Sequence, residues 1–482
     1  MSILDHVQLK NVFHYFEEIS KIPHGSYHTE AISNYLTNFA KEKGLWYFKD
    51  KSGNVIIKKE ASAGYEASGP VIIQGHMDMV CEKESGAAID MEKEGLSLYV
   101  EDGFLKAKGT TLGADDGIAI AYVLSVLEDD SLKHPKIEAV FTTNEEVGML
   151  GAMAMDFSKL SGRILLNIDS DIEGHFLTSC AGGLTVKTTL PAVYRSMDGV
   201  CVSIVLDGLF GGHSGSEIDK EHANAVIELG RILQYIKQRM SFGIAALEGG
   251  LKDNAIPRQA KAEIVVSAGE VETLKHYAAE IEQILQNEYK VSEPNLFVAL
   301  TASNEKTYDI LDETSMKNIL FYLRNVPNGI CHMSMNMKGL VETSLNAGVM
   351  KLGKTNFTMT SSVRSSLESR KQELSEKLTA LAGFLGGTAE VGGSYPAWEY
   401  CADSNLREIV SGTYQKMFGK EPVFEAIHAG LECGIFYENI KDLDAVSFGP
   451  DNFDIHTPKE RLNIASAERV YQFLAELLAG LK

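Results

Sequence analysis

Two adjacent glutamates, Glu145 and Glu146, close the run Ala139-Val140-Phe141-Thr142-Thr143-Asn144-Glu145-Glu146-Val147-Gly148. The apolar, β-branched residues before them read as a buried strand. A strand that stops on two like charges is poor packing, because each carboxylate raises the other's pKa unless a cation lies close by. The pair therefore predicts a positive partner, and other clusters along the chain offer groups that could hold one.

In Ile73-Gln74-Gly75-His76-Met77-Asp78, His76 and Asp78 alternate with Met77 and point to one face of a strand end. A neutral imidazole is a good zinc ligand when a carboxylate such as Asp78 fixes its tautomer. On its own a His-x-Asp is a weak signal. Thr110-Thr111-Leu112-Gly113-Ala114-Asp115-Asp116-Gly117 places a second acidic pair where an apolar helix begins. Helix capping accounts for one of these aspartates but not for two. Leu166-Asn167-Ile168-Asp169 ends another aliphatic strand on an acid, with Asp171 and Glu173 read as solvated loop acids. Late in the chain, the turn-rich loop Phe448 to Pro458 presents His456. Carboxylates and imidazoles without thiolates suit zinc, manganese or cobalt. Two metals roughly 3.5–4 Å apart need a bridging carboxylate and separate terminal ligands, and this set is large enough for that.

Composition frames the site. The 482 residues exceed what one core sustains, so two domains are expected. The net charge of −21 argues against nucleic acid or an anionic membrane surface as partner. No stretch reaches the roughly 20 apolar residues of a membrane span. The start, Met1 to His6, has no signal-peptide pattern, and a cytoplasmic enzyme is expected. Val7, Val12, Phe13, Phe16 and Ile19 fit one helix face. The six scattered cysteines indicate neither a disulfide framework nor a thiolate zinc site, and they read as reduced and mostly buried.

The elements that must position the ligands alternate over the first ~180 residues, the pattern of an α/β sheet with ligands at strand carboxyl ends. Helices read over 28–43 and 117–127, and strands over 54–58, 71–74, 137–143 and 163–168. Beyond Gly182-Gly183 the layout turns α+β, with strands 202–206 and 262–266 flanking helices 223–239 and 270–286. A loose echo of 251–257 in 342–348, followed by strand 356–363 and helix 368–385, reads as a weak duplication. Segments 404–417, 445–448 and 465–479 complete the first domain. The expected design is a catalytic domain with a mixed central sheet over 1–182 and 398–482. A large α+β insert, read as duplicated ferredoxin-like units, fills 183–397.

The order His-x-Asp, Gly-Ala-Asp-Asp-Gly, Asn-Glu-Glu-x-Gly, Asn-Ile-Asp, Gly-His-Ser-Gly and a late histidine resembles the di-zinc amidohydrolases that include aminoacylase, glutamate carboxypeptidase and the bacterial dipeptidases. The strings Gln74 to Val80, Thr111 to Gly117, His428-Ala429-Gly430-Leu431-Glu432-Cys433-Gly434 and Gly449 to His456 carry the resemblance towards the dipeptidases, and it covers essentially the whole chain. Relatives often have Asn where Asp116 stands, which leaves the ligands intact.

The resemblance implies roles. Asp115 would bridge two metals. His76 and Asp169 would complete one site, and Glu146 and His456 the other. Asp78 would orient His76, and Glu145 would act as general base and then acid. The peptide bond after Asp115 is commonly cis in relatives. The insert resembles a lid and dimerisation domain in which His213, in Gly211-Gly212-His213-Ser214-Gly215, donates to the substrate's carbonyl oxygen. Asn254, Arg364, His428 and Gly430 would bind the substrate. A turn asparagine and a strand-surface arginine are the bland readings of Asn254 and Arg364.

The activity so implied is metal-dependent hydrolysis of free dipeptides, Xaa-His among them, with two divalent ions, zinc first and manganese or cobalt as alternatives. The other readings are an N-acyl-amino-acid deacylase or carboxypeptidase of the same family, and an inactive relative that only binds metal or peptide. A homodimer acting on small peptides is expected.

Overall fold

The computed structural model describes residues 9–482. Val7 lies outside them, while Val12, Phe13, Phe16 and Ile19 are buried on the helix Lys10–Ser20. By compactness the chain divides in two. The first unit runs to Cys180 and resumes over Tyr400–Ala426 and Leu431–Lys482. The second comprises Ala181–Glu399 and Ile427–Gly430. The segment 427–430, expected in the catalytic domain, thus belongs with the insert. The Ala181 N–H donates to the carbonyls of Ile427 and Ala429, both at 3.1 Å, and the His428 ring meets the Ser344 hydroxyl at 2.7 Å.

The first unit is built on a mixed eight-stranded sheet. Its order is Trp46–Lys49, Val55–Lys59, Ile137–Thr142, Val71–His76, Ile164–Asn167, Asp444–Ser447, His175–Cys180, Val423–Ile427. The four strands from Ile137–Thr142 to Asp444–Ser447 are mutually parallel. They are apolar and almost wholly buried, as strands covered on both faces must be. The helix Ala114–Glu128 carries no polar face, and all but two of its residues are buried. A small four-stranded sheet, Asn452–Phe453, Arg461–Asn463, Phe104–Ala107 and Leu98–Glu101, was not foreseen, because its strands are short and half exposed.

The second unit carries a nine-stranded antiparallel sheet. Its main order is Phe297–Leu311, Tyr194–Asp207, Ala260–Val266, Gly243–Gly249, Val341–Leu352, Asn356–Ser365, Gly182–Pro191, Thr388–Tyr395. The first four strands, with helices Ala225–Lys237 and Val271–Glu288, run β-α-β-β-α-β in spatial order 4-1-3-2, the ferredoxin-like arrangement. The last four, with helices Glu313–Asn325 and Glu368–Phe384, repeat it, and the first set is inserted after strand Gly182–Pro191. The sets join edge to edge through Glu248↔Lys351 and Gly249↔Met350. All four helices share one core with the sheet.

Three sequence expectations need correction. The echo between 251–257 and 342–348 does not mark the repeat: the first is mostly the turn after a strand, and the second lies inside the strand Val341–Leu352. The strand Phe297–Leu311 escaped notice because its middle, Thr301 to Thr307, is polar and exposed. The cysteines are free, but only Cys180, Cys201 and Cys433 are buried; Cys331 is half-buried, and Cys81 and Cys401 are exposed.

Candidate metal centre

The parallel strands deliver the acidic clusters to one edge of the first unit's sheet. His76 ends Val71–His76, Glu145 and Glu146 follow Ile137–Thr142, and Asp169 follows Ile164–Asn167. The chain after Asp444–Ser447 forms a hairpin, Asn452–Phe453 to Arg461–Asn463, with His456 near its tip in the left-handed region at φ 59°. Carboxyl ends of parallel strands are where open α/β sheets gather ligands.

Asp115 is the centre of the cluster. Its Oδ1 lies 3.0 Å from His76 Nε2, and its Oδ2 lies 3.0 Å from His456 Nε2. His456 Nε2 is also 3.0 Å from Glu146 Oε2, and Asp169 Oδ1 is 3.9 Å from His76 Nε2. Three overlapping groups of potential ligand atoms, each within 4.8 Å, link the patch: His76 with Asp116 and Asp169, His76 with Glu145 and Glu146, and Asp115 with Glu146 and His456.

Asp78 works on both neighbouring clusters. His76 Nδ1 sits 2.9 Å from the Asp78 carbonyl oxygen. The Asp78 carboxylate accepts the Glu145 N–H at 2.9 Å, the Glu146 N–H at 3.4 Å and the Ser26 hydroxyl at 2.8 Å. With Nδ1 facing a carbonyl, the imidazole carries its proton there and aims Nε2 at Asp115.

The electrostatics follow from acids crowded out of water. Burial pushes the Glu145 carboxyl well up, and the charges of Asp169, Glu432 and Glu146 add to this. Asp169 is pushed up to about 7 by burial and by Asp115 and Glu146. Burial works the same way on Asp115, but hydrogen bonds with His456 and His76 outweigh it and hold that carboxyl well below the usual range. His456 is raised to about 11 by hydrogen bonds to Asp115 and Glu146.

The donor set fits divalent cations. Its members are hard oxygens and imidazole nitrogens. Glu146 Oε1 is buried without a hydrogen-bond partner. Among the described residues the only ion-pair partners of Asp115, Glu146 and Asp169 are His76 and His456. Acids outnumber bases, and no lysine or arginine makes up the difference.

Several residues behave differently from the sequence reading. Asp115 and Asp116, joined by a cis peptide bond, have non-helical backbone angles, and neither caps the helix. Asp116 is buried, and its Oδ2 accepts the His76 N–H at 3.1 Å. Glu173 is not a solvated acid: it binds the Arg469 guanidinium through two bonds, at 2.7 and 2.5 Å. Asp171 is half-buried and pushed up to about 8 by burial and the charges of Asp115, Asp169 and Glu460.

Two carboxylates of this unit were missed. Glu432 is fully buried and accepts from Gln74 Nε2 at 2.5 Å and the Thr142 hydroxyl at 2.6 Å, tying together the strands that carry His76 and Glu145. Glu460 accepts four backbone N–H groups from Leu112 to Asp115. The sequence signal for either was only an acid close to a motif already noted.

The second unit holds its own cluster. His213 lies in a two-residue strand against Ala255–Ile256 and is exposed. Its Nδ1 accepts the N–H groups of Gly215 and Ser216 at 3.2 and 3.3 Å, which leaves the proton on Nε2. Partial desolvation and the Arg364 charge lower its pKa. Arg364 is not a surface arginine. It is buried, Nη1 donates to the Tyr395 hydroxyl at 2.9 Å, and Nε has no partner. His428 is pushed down to about 3 by burial and by the Arg364 charge. Asn254 is half-buried, and its carbonyl accepts the Ser214 N–H at 2.8 Å; Gly430 is half-buried beside His428.

The pattern described as Peptidase family M20/M25/M40 matches residues 72–480. The chain is 37% identical to the cytosol non-specific dipeptidase of Escherichia coli K12, over 99% of both chains. It superposes on the crystal structure of aminoacylhistidine dipeptidase from Vibrio alginolyticus with a TM-score of 0.93 and 33% identity, covering 99% of this chain and 98% of that one. The aminopeptidase PepT of Bacillus cereus shares the fold at a TM-score of 0.55 and 15% identity, over 98% and 99% of the two chains.

Proposed function

The chain belongs to peptidase family M20/M25/M40, and on that footing we infer that it is a metallopeptidase that hydrolyses free dipeptides, Xaa-His among them, with two divalent ions. The observation that carries this reading is the Asp115 carboxylate, which meets one imaginable site through His76 and another through His456, one oxygen each. Asp115 would be shared between the two ions, with His76 and Asp169 holding one and Glu146 and His456 holding the other. Zinc suits these donors, and manganese or cobalt would serve the same set.

Bound ions supply Lewis acidity, acidifying water and polarising the scissile carbonyl. Glu145 accepts the proton of the attacking water and returns it to the leaving amine. Its backbone is pinned by Asp78 and its side chain makes no hydrogen bond of its own among the described residues, so it is free to move a proton. His213, neutral with its proton on Nε2, donates to the oxyanion, a contribution of about 3–4 kcal/mol per donor in comparable sites. Arg364 takes the substrate's carboxylate, with Asn254, His428 and Gly430 as further contacts. We place the enzyme in the cytoplasm as a homodimer. The Escherichia coli relative is named as cytosolic, and no described helix is long and apolar enough to cross a membrane.

The test is metal content together with turnover of a dipeptide panel, before and after chelation. Cleavage of alanyl-histidine that is lost on chelation, and lost when the amino terminus is acylated, supports the reading. Preference for N-acyl substrates makes the chain a deacylase, and bound metal without any turnover makes it a binding relative.

A further inference from the structure

Asp115 sits at the mouth of an otherwise apolar helix, without a side-chain cap of its own. The N–H groups there would be left bare, as at any uncapped helix start. Glu460, remote in sequence and nearly fully buried, takes four consecutive N–H groups at this start, those of residues 112 to 115. Its Oε2 accepts from Leu112 at 2.8 Å and Gly113 at 3.0 Å; its Oε1 accepts from Ala114 at 2.9 Å and Asp115 at 3.3 Å. Gly113, at φ 69°, supplies the left-handed turn that lets consecutive N–H groups converge on one carboxylate.

The same short segment carries His456. A hydrogen bond from the Glu460 N–H to the Thr457 carbonyl, 3.0 Å, folds residues 457–460 into a turn. His456 at one end meets the Asp115 side chain, and Glu460 at the other holds the Asp115 backbone. Two carboxylates are kept in one neighbourhood against their repulsion, which pushes the Glu460 pKa up after burial has done so. Four charge-assisted hydrogen bonds offset that cost.

We propose that Glu460 is the positioning residue of the centre: by gripping the backbone of residues 112–115 it sets the place from which the Asp115 carboxylate reaches both ions. This rests on Asp115 being the bridging ligand. Glu460→Gln keeps size and shape but turns an amide NH2 towards two N–H donors. Glu460→Asp keeps the charge at the helix start but withdraws it by a methylene. Each should weaken zinc binding by the metal-free protein about 10- to 100-fold, the range for residues that orient ligands, read by competition with a chromogenic chelator.

Glu138→Gln is the control for stability alone. Glu138 is also a buried carboxylate that accepts backbone N–H groups, from Ser161 at 2.8 Å and Gly162 at 2.9 Å, but it lies at the opposite end of the strand leading to Glu145. It should lower the unfolding temperature and leave zinc affinity unchanged. Wild-type affinity in both Glu460 variants, or equal weakening by Glu138→Gln, overturns the proposal. If Asp115→Ala binds zinc as tightly as wild type, the bridging assignment itself falls, which is a separate outcome.

Discussion

The carboxylate of Asp78 accepts the backbone N–H of Glu145 at 2.9 Å, while the Asp78 carbonyl oxygen faces His76 Nδ1 at 2.9 Å. On the proposed assignment, one residue thereby orients a metal ligand with its main chain and places the base with its side chain. The adjacency of Glu145 and Glu146 then has a physical use. Asp78 holds the backbone of both, so one side chain can serve a metal while its neighbour stays off it.

Asp78→Asn keeps one oxygen acceptor but removes the charge that holds both N–H groups and the Ser26 hydroxyl. Metal affinity should fall about 10- to 100-fold, measured by dialysis against buffered zinc. Turnover should fall further than affinity, because Glu145 is displaced as well. Unchanged turnover at saturating zinc would falsify the role of the Asp78 side chain in placing Glu145.

Glu145→Gln should retain both metals and lose about 10²- to 10⁴-fold in kcat, the range for a general acid–base group. Elemental analysis of the purified variant separates this from ligand loss. A variant that comes out with one metal fewer makes Glu145 a ligand and not the base.

Gly75→Ala tests the packing beneath the ligands. A Cβ there would lie 2.5 Å from Ala119 Cβ and 2.5 Å from Asp116 Oδ2. The helix Ala114–Glu128 is buried on all sides and has nowhere to retreat. A destabilisation of about 1–3 kcal/mol is expected, seen in denaturant unfolding, with metal affinity reduced because Asp116 also receives the His76 N–H.

His428 makes the pH dependence of stability predictable. Its pKa is lowered from 6.5 to about 3 in the folded chain. Between these values the unfolded chain binds a proton that the folded chain refuses, so stability rises with pH across this window and its contribution is complete above pH 6.5. The slope for one proton is about 1.4 kcal/mol per pH unit. Replacing His428 by Gln should flatten the stability profile between pH 4 and about 6. A profile as steep as that of wild type places the titration elsewhere.

The residues themselves determined the kinds of candidate ligand and their order. An acid or histidine after each aliphatic run could be read locally, because strand periodicity and the residue that ends it lie within a few positions of each other. The helices and short apolar strands were legible for the same reason. The shape of the resemblance followed from motif strings such as Gln74 to Val80 and Thr111 to Gly117.

Only tertiary structure decided which acids face the centre and which support it. Glu460 reaches residues 112–115 across some 345 positions, and no local pattern announces that. Glu173 looked solvated until Arg469 closed on it, and the bland alternative for Arg364, a strand-surface arginine, fell only when the second unit's sheet buried it. The polar strand Phe297–Leu311 exists because Tyr194–Asp207 pairs with it, not because its own residues demand one. A carboxylate's chemistry is set by its burial and its partners, and those are assigned when distant segments meet.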